Sequence, residues 1–414
     1  MNVLVLGSGG REHALALKIS ESKLLKKLYV MPGNPGTSKF AKNVDINPLD
    51  KVEVLKFCLR NQINLIIPGC EIYLEKGISD YFIKAGIHVF GPIKKAAKLE
   101  SSKEYAKQLM EKYNIPTAKY EVFKDYKKAL KYIDENEVPI VIKYDGLAGG
   151  KGVVVAFTKE EAKLTLDKML VQKKYGDSKV IIEEYLEGPE FSLMCFVDNN
   201  IVIPMPICQD HKRLLDNDLG PNTGGMGIYS PVPIIEEKDI DWSIKNIMEK
   251  TVEALKNEGI LYTGFLYGGL IKTIDGPKVI EFNVRFGDPE AEVLMPKLES
   301  DILEIIDSLR LKEKIEVSWN KDYVLGVVLA SNGYPVSYDK GKIIENANEI
   351  NNLYHMGTKK EFENLVTNGG RVLFVYGKGK TLLEAKENAY RDIERIKCKN
   401  LFYRKDIGYK SINA

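Results

Sequence analysis

The chain has no run of about 18 apolar residues, which excludes a membrane-spanning helix of ordinary length. Its five cysteines (Cys58, Cys70, Cys195, Cys208 and Cys398) are odd in number, scattered and without a CxxC pair, so reduced thiols are expected rather than a zinc site or disulfide framework. Neither sign of charge dominates. Sixty lysines and arginines stand against 58 aspartates and glutamates, a net charge of +2, which offers nucleic acid no global attraction; any phosphate must be bound locally. The opening residues MNVLVLGSGG carry none of the basic flank, longer apolar stretch and small-residue cleavage site of an export signal, and a cytoplasmic protein is expected. No internal repeat is visible. What is present is the composition of a folded globular protein, 44% hydrophobic and 29% charged. Its 414 residues exceed one ordinary core of roughly 100–200 residues, so two to four subdomains are expected.

Residues 3–6 form an apolar β-type run followed by glycines, and residues 12–20 show helical periodicity, so the chain opens as strand, loop and helix. Further strands are predicted at 27–31, 64–68 and 88–90, separated by amphipathic stretches such as 51–62, the alternation of a parallel sheet covered by helices. After Gly91-Pro92 a lysine-rich helical stretch spans 93–113 until Pro116 breaks it, marking the junction to a second domain. Strands at 140–143, 153–157, 180–185 and 191–197, with a helix at 159–173, suggest a small α+β lid. A helix at 238–258 leads to strands at 264–273 and 278–284, joined by the turn Asp275-Gly276. Strands at 324–330 and 371–376 and a helix at 381–396 indicate a third domain.

Several segments carry chemistry. GSGGREHAL, residues 7–15, follows a strand and opens a helix, where backbone N–H groups favour an anion. The dinucleotide fingerprint fails here: Glu12 replaces the third glycine, and Pro32-Gly33-Asn34 stands where an acid would bind ribose. Two readings of Gly9, Gly10 and Arg11 remain, a phosphate-bearing small substrate or a tight turn capped by Arg11. DGLAGGKGV, residues 145–153, departs from the Walker spacing and lacks its hydroxyl, leaving a glycine-rich flap over phosphates, flanked by Lys143 and Lys151, or a plain hairpin loop. EEYLEGPEFS, residues 183–192, can bend across a purine, with backbone around Glu183 and Leu186 and with Glu190 for ribose hydroxyls, or its acids are simply solvated.

EFNVRFGDPE, residues 281–290, gives the strongest local signal. On a strand Glu281, Asn283 and Arg285 share one face, two hard oxygen ligands beside a cation, which suits magnesium bridging phosphates. Arg285 can offset charge on a phosphoryl group in transfer. The stretch 209–231, QDHKRLLDNDLGPNTGGMGIYSP, is too long and polar to persist without a role, offering Asp210, Lys212, Asp216 and Asp218 and a TGGMG cradle. His211, beside two cations, reads as a hydrogen-bonding or surface residue, and no nearby serine or cysteine completes a hydrolytic triad.

Together these blocks, with PGNPGT, GPIKKAAKLESSKEYAKQLM, ASNGYP, TNGGRV and YRKDIG, resemble the ATP-grasp superfamily and, within it, the phosphoribosylamine–glycine ligases. The resemblance covers nearly the whole chain. It implies an α/β and α+β multidomain fold: a Rossmann-like parallel domain over 1–101, an ATP-grasp domain over 102–320 with its lid at about 118–187, and a C-terminal α+β domain over 321–414 that closes the site. It implies ATP and magnesium or manganese, with glycine and 5-phosphoribosylamine as substrates, no nucleic acid or membrane partner, and a monomer. Lys103 and Lys143 would contact the nucleotide, Gly149, Gly150, Lys151 and Gly152 would form the flap, Glu183, Leu186 and Glu190 would bind adenosine, and Glu281 and Asn283 the metal. Arg285, Asp288 and Lys151 are the catalytic candidates. Asp210, Asn222, Thr223, Gly224 and Asp288 are candidates for substrate contact. Two departures stand out: Gly269 where many ATP-grasp enzymes have a further metal carboxylate, and Cys70 and Ile72 in the segment 69–80. The competing readings are a ligase of another acid such as formate or bicarbonate, an NAD-dependent oxidoreductase, and a non-catalytic nucleotide sensor.

Overall fold

The computed structural model describes residues 1–148 and 152–412. Five strands, β1 (Asn2–Gly7), β2 (Lys27–Pro32), β3 (Lys42–Asn43), β4 (Leu65–Pro68) and β5 (His88–Val89), form a parallel sheet in the order β3-β2-β1-β4-β5. Val3, Leu4, Val5 and Leu6 of the central strand are all inaccessible, because helices cover both faces; this is why β1 reads as a continuous apolar run instead of an alternation. Helix α1 (Gly10–Ser20) starts three residues after β1 ends. The two-residue β3 was not predicted, being too short to show a period.

The predicted lid is a four-stranded antiparallel sheet in the order Tyr120–Phe123, Val180–Glu184, Ile140–Tyr144, Val153–Ala156. Helices Tyr126–Glu135 and Lys159–Leu166 pack on it, and Ala129, Ile133, Ile142, Leu166 and Ile182 give it a small core of its own. The helix predicted over 159–173 passes at residue 167 into a wider π-type turn, Asp167–Val171, as the helix predicted over 238–258 does at Ile244–Glu249. The ATP-grasp core is a second antiparallel sheet in the order Ile201–Pro204, Glu190–Asp198, Thr263–Thr273, Gly276–Asn283.

The C-terminal sheet is built on Tyr323–Ser331, Arg371–Gly379 and Leu353–His355. It also recruits Gln209–Asp210 and Gly227–Ser230, so the polar stretch 209–231 is anchored at both ends in the sheet of another domain. Helix boundaries follow their caps: Ser102, Asp125, Thr158 and Thr381 each accept a backbone N–H from the first turn of the following helix, an arrangement that stabilises a helix by about 1 kcal/mol.

Candidate active site

A cleft of about 830 Å³ lies between lid, core and N-terminal domain. Its floor is the strand Gly276–Asn283, paired antiparallel to Thr263–Thr273 with a register shift: Gly269 faces Glu281 while Leu270 faces Val279. Ile280 is the extra residue of this bulge, and its carbonyl accepts from Lys143 Nζ at 2.9 Å. The bulge thereby ties a lid lysine to the floor. Gly269 carries no carboxylate, but it serves Glu281 in another way, since a Cβ there would come within 3.2 Å of Glu281 Cγ. Glu281 and Asn283 close the strand and Arg285 lies two residues beyond its end; all three line the cleft, as does Phe282. Glu281 has no side-chain hydrogen bond or ion pair among the described residues, and Asn283 Oδ1 accepts from Arg285 Nη2 at 3.2 Å. An unpaired carboxylate two residues from an amide oxygen is a donor set of hard oxygens, which suits magnesium better than a softer ion. No cluster of three or more His, Cys, Asp or Glu placed to hold a metal occurs among the described residues.

Opposite the floor, Lys103 Nζ donates to Gly146 O at 3.0 Å, and burial lowers its pKa. Lys143 and Lys107 both reach Glu183 Oε2, at 2.9 and 3.0 Å. Glu183 is buried and its second oxygen, Oε1, has no hydrogen-bond partner. Burial pulls Lys107 down to about 8. Sequence reasoning passed over Lys107, although its place one helical turn after Lys103 puts both on one face. Lid pairing ends at Glu184, leaving the backbone of Tyr185 and Leu186 along the cleft outside the ladder. The chain turns back at Gly188, whose φ of +145° and whose approach to Lys272 O, 1.9 Å from a notional Cβ, exclude any other residue. Glu190 then meets Lys212 Nζ at 2.8 Å, and that cation lowers its pKa. Gly152 lines the cleft; Gly149, Gly150 and Lys151 lie outside the described residues.

Arg285 is held by two acids that spacing did not reveal. Its Nε is 3.3 Å from Glu71 and its Nη2 is 3.2 Å from Glu100. Burial opposes ionisation of both, yet Arg285 and Arg11 draw Glu71 down to about 2, whereas burial leaves Glu100 raised. The atypical segment 69–80 therefore contributes a partner to the arginine at the centre of the cleft.

The stretch 209–231 divides into two jobs. Asp210, Lys212, Asn222, Thr223 and Gly224 line the cleft; Asp210 Oδ1 is buried without a partner, and burial together with Glu290 raises its pKa. Thr223 Oγ1 donates to Lys212 O at 2.8 Å and accepts from Gly225 N, closing the TGGMG turn. Asp216 and Asp218 anchor the C-terminal tail, Asp218 while also lining the cleft: Asp216 accepts from Lys405 N at 2.8 Å, and Asp218 meets buried Arg404 at 2.9 Å. His211 is inaccessible, with Nδ1 3.2 Å from Gly227 O and Nε2 accepting from Gly408 N; burial and Arg404 hold its pKa near 3. It is a neutral hydrogen-bonding residue, one of the two roles read from the sequence.

The N-terminal turn faces elsewhere. Gly9 N donates to Glu12 Oε2 at 2.6 Å, and Glu12 Oε1 holds Arg11 Nε at 2.7 Å. A Cβ on Gly10 would meet Glu292 Oε1 at 2.4 Å. The helix start is thus bordered by two carboxylates, Glu12 and Glu292. Arg11 lines the 830 Å³ cleft, whereas Gly9 lines a second cavity of about 690 Å³ between the N-terminal and C-terminal domains, with Asn34, Lys359, Lys360 and Asn368; Gly10 lines neither. The structure therefore does not bring Gly9, Gly10 and Arg11 to one surface.

Comparison with known proteins gives a consistent picture. Three family models for phosphoribosylglycinamide synthetase match along most of the chain: its N domain at residues 1–100, its ATP-grasp (A) domain at 101–291 and its C domain at 324–410. A phosphoribosylamine–glycine ligase of Halalkalibacterium halodurans is 51% identical, covering 100% of this chain and 97% of the relative. One from Listeria innocua is 48% identical over 99% of this chain and 100% of the relative. The crystal structure of phosphoribosylamine–glycine ligase from Thermotoga maritima superposes with a TM-score of 0.87 at 35% identity, covering 99% of this chain and 100% of that one. A biotin carboxylase domain of Hydrogenobacter thermophilus 2-oxoglutarate carboxylase shares the fold, with a TM-score of 0.72 at 17% identity over 97% and 91% of the two chains.

Proposed function

The chain belongs to the phosphoribosylglycinamide synthetase family, and on that premise we propose that it joins glycine to the amine of 5-phosphoribosylamine, giving glycinamide ribonucleotide, ADP and phosphate. It is an ATP-grasp ligase. The observation that carries the substrate reading is the convergence in one cleft, under a lid, of Lys103, Lys143 and Lys212 with Glu281, Asn283 and Arg285. No acyl-enzyme is invoked: the thiol on the cleft wall, Cys70, is pushed up to about 11 by burial.

In this reading the adenine lies against the lid edge, where Glu183 Oε1 accepts its amino hydrogen beside the backbone of Leu186, and Glu190 takes the ribose. Lys143 and Lys103 lie along the phosphates, with Gly149, Gly150, Lys151 and Gly152 closing above. Glu281 and Asn283 would hold magnesium or manganese, Arg285 turning from Asn283 to the phosphoryl oxygens. A metal bound there supplies neutralisation of phosphate charge. Asp210 Oδ1, buried and unpartnered, gives glycine's ammonium group an acceptor, with Asn222, Thr223 and Gly224 beside it. Glycine's carboxylate attacks the γ-phosphorus and ADP leaves; the amine then attacks the acyl phosphate carbonyl and phosphate departs. Positioning and electrostatics carry both steps, and the lid keeps water from the acyl phosphate.

The phosphoribosylamine enters from the second cavity, whose Lys359 and Lys360 suit a phosphate monoester. All these groups come from one chain, and we read the working unit as a cytoplasmic monomer. The test is phosphate release with ATP, magnesium, glycine and freshly made phosphoribosylamine, omitting one component at a time. Release that persists unchanged without glycine would overturn the choice of acid.

A further inference from the structure

Asp288 and Arg371 are the two described residues that line both cavities. Arg371 opens the C-terminal strand Arg371–Gly379, and its guanidinium reaches into the core domain. Nη2 lies 2.8 Å from Asp288 Oδ1, and Nη1 donates to the main-chain oxygens of Gly224 at 2.5 Å and Asp288 at 3.1 Å. One cation thus joins the end of the metal-bearing segment, the TGGMG loop and the C-terminal sheet. Both side chains are mostly buried, at 18% and 14% exposure, so the geometry is not that of a loose surface pair. The other carboxylate oxygen, Oδ2, points at Gly9 on the wall of the second cavity, 3.5 Å from a notional Cβ there. Asp288 therefore has Oδ1 in ionic contact with Arg371, though without a hydrogen bond, and Oδ2 open, on the wall the cavities share. Its further charged neighbours are Arg11 and the buried carboxyl of Glu292.

We infer that Arg371 is a positioning residue for the amine-transfer step: it holds the Asp288 carboxylate where an amine entering from the second cavity meets the acyl phosphate formed in the first. This rests on the ligase reading given above. In the step, nitrogen bonds to the carbonyl carbon, the carbon–oxygen bond to phosphate breaks with its electron pair leaving on phosphate, and the proton shed by nitrogen passes to Asp288 Oδ2. Of the groups assigned to the first step, Lys103, Lys143 and Glu281 have no hydrogen bond or ion pair with Arg371, while the glycine side meets it through the main-chain oxygen of Gly224. With glycine saturating, phosphoryl transfer and amine transfer are thereby separable by mutation.

The experiment measures ADP and amide product together, with ATP, magnesium, glycine and phosphoribosylamine. The wild type gives one ADP per amide. With glycine saturating, Arg371→Met is expected to keep ADP formation within about threefold while amide formation falls on the order of 10²-fold, the stranded acyl phosphate being lost to water as the lid opens to release ADP. Methylguanidinium added to Arg371→Ala restores amide over ADP. A ratio that stays at one while both rates fall, or an unchanged amide rate, overturns the inference. Should the methionine variant not fold, Arg371→Lys decides: it keeps the charge but not the fork, and a ratio of one there overturns the inference equally. A wild type that makes no ADP with glycine present defeats the ligase reading instead, so the two failures are distinguishable.

Discussion

Glu183→Gln removes the one anion from a buried group of three charges. In the native protein Lys143 and Lys107 stand 2.9 and 3.0 Å from Glu183 Oε2, and none of the three side chains is more than 5% exposed. Two ammonium groups and one carboxylate sum to +1; the glutamine variant leaves +2, both buried and 3 Å from a neutral amide. Stripping one partner from a buried pair costs ~3–5 kcal/mol. The surviving acceptors, Thr117 Oγ1 and Ala118 O for Lys107 and Ile280 O for Lys143, place the expected loss at the lower end, about 3 kcal/mol. Lys107→Met works in the opposite direction, leaving the single pair Lys143–Glu183 and a net charge of zero, and should cost only about 1 kcal/mol. Urea unfolding of the nucleotide-free protein, followed by circular dichroism, reads both numbers. A Glu183→Gln cost below about 1 kcal/mol, or a Lys107→Met cost exceeding it, would refute the reasoning.

Lys107→Met also has a pH signature. Folded Lys107 releases its proton near 8, while the unfolded side chain keeps it to the ordinary 10.5, so the cost of burying the charge is full below pH 8 and fades as pH rises. Relative to the variant, wild-type stability should therefore climb between pH 8 and 9.5, read by urea unfolding across that range; Lys297, likewise pulled down to about 8 by burial, and the buried thiols of Cys58, Cys70, Cys195 and Cys208, whose raised pKa values act in the opposite direction, contribute to both proteins and cancel in the difference. Glu281→Gln should reduce turnover by at least on the order of 10²-fold with an unchanged circular dichroism spectrum; near-normal rates at saturating magnesium would remove it from the metal site. Gly188→Ala, at φ +145° and against Lys272 O, should lower stability by about 3 kcal/mol, read by urea unfolding; a neutral result would mean the lid turn relaxes freely.

How much of the site was legible depended on the length scale of each signal. That Glu281 and Asn283 share a face follows from strand alternation alone, whereas Arg285, past the strand's end at Asn283, reaches the same cleft from the bend that follows. The failed dinucleotide fingerprint was equally legible: Glu12, where a third glycine was wanted, caps Gly9 N. Lys107 was within reach of helical spacing. Glu71, Glu100 and Arg371 were not, because their relation to Arg285 and Asp288 spans 214, 185 and 83 residues of chain and no local period encodes it.

By itself the sequence determined the order of elements, the apolar central strand, the pairing of Glu281 with Asn283 on one strand face and the blocks that carry the family, since each is written in neighbouring residues or in a period of two or 3.6. The tertiary structure alone decided that a bulge carbonyl anchors Lys143, that two acids share Arg285, and that Gly9 and Arg11 face different cavities. It alone brought Asp288 and Arg371 to the wall between those cavities. Ion pairs and cavity walls are made by side chains that meet only after the sheets pack, and burial, which sets their strength, is a property of the packed chain.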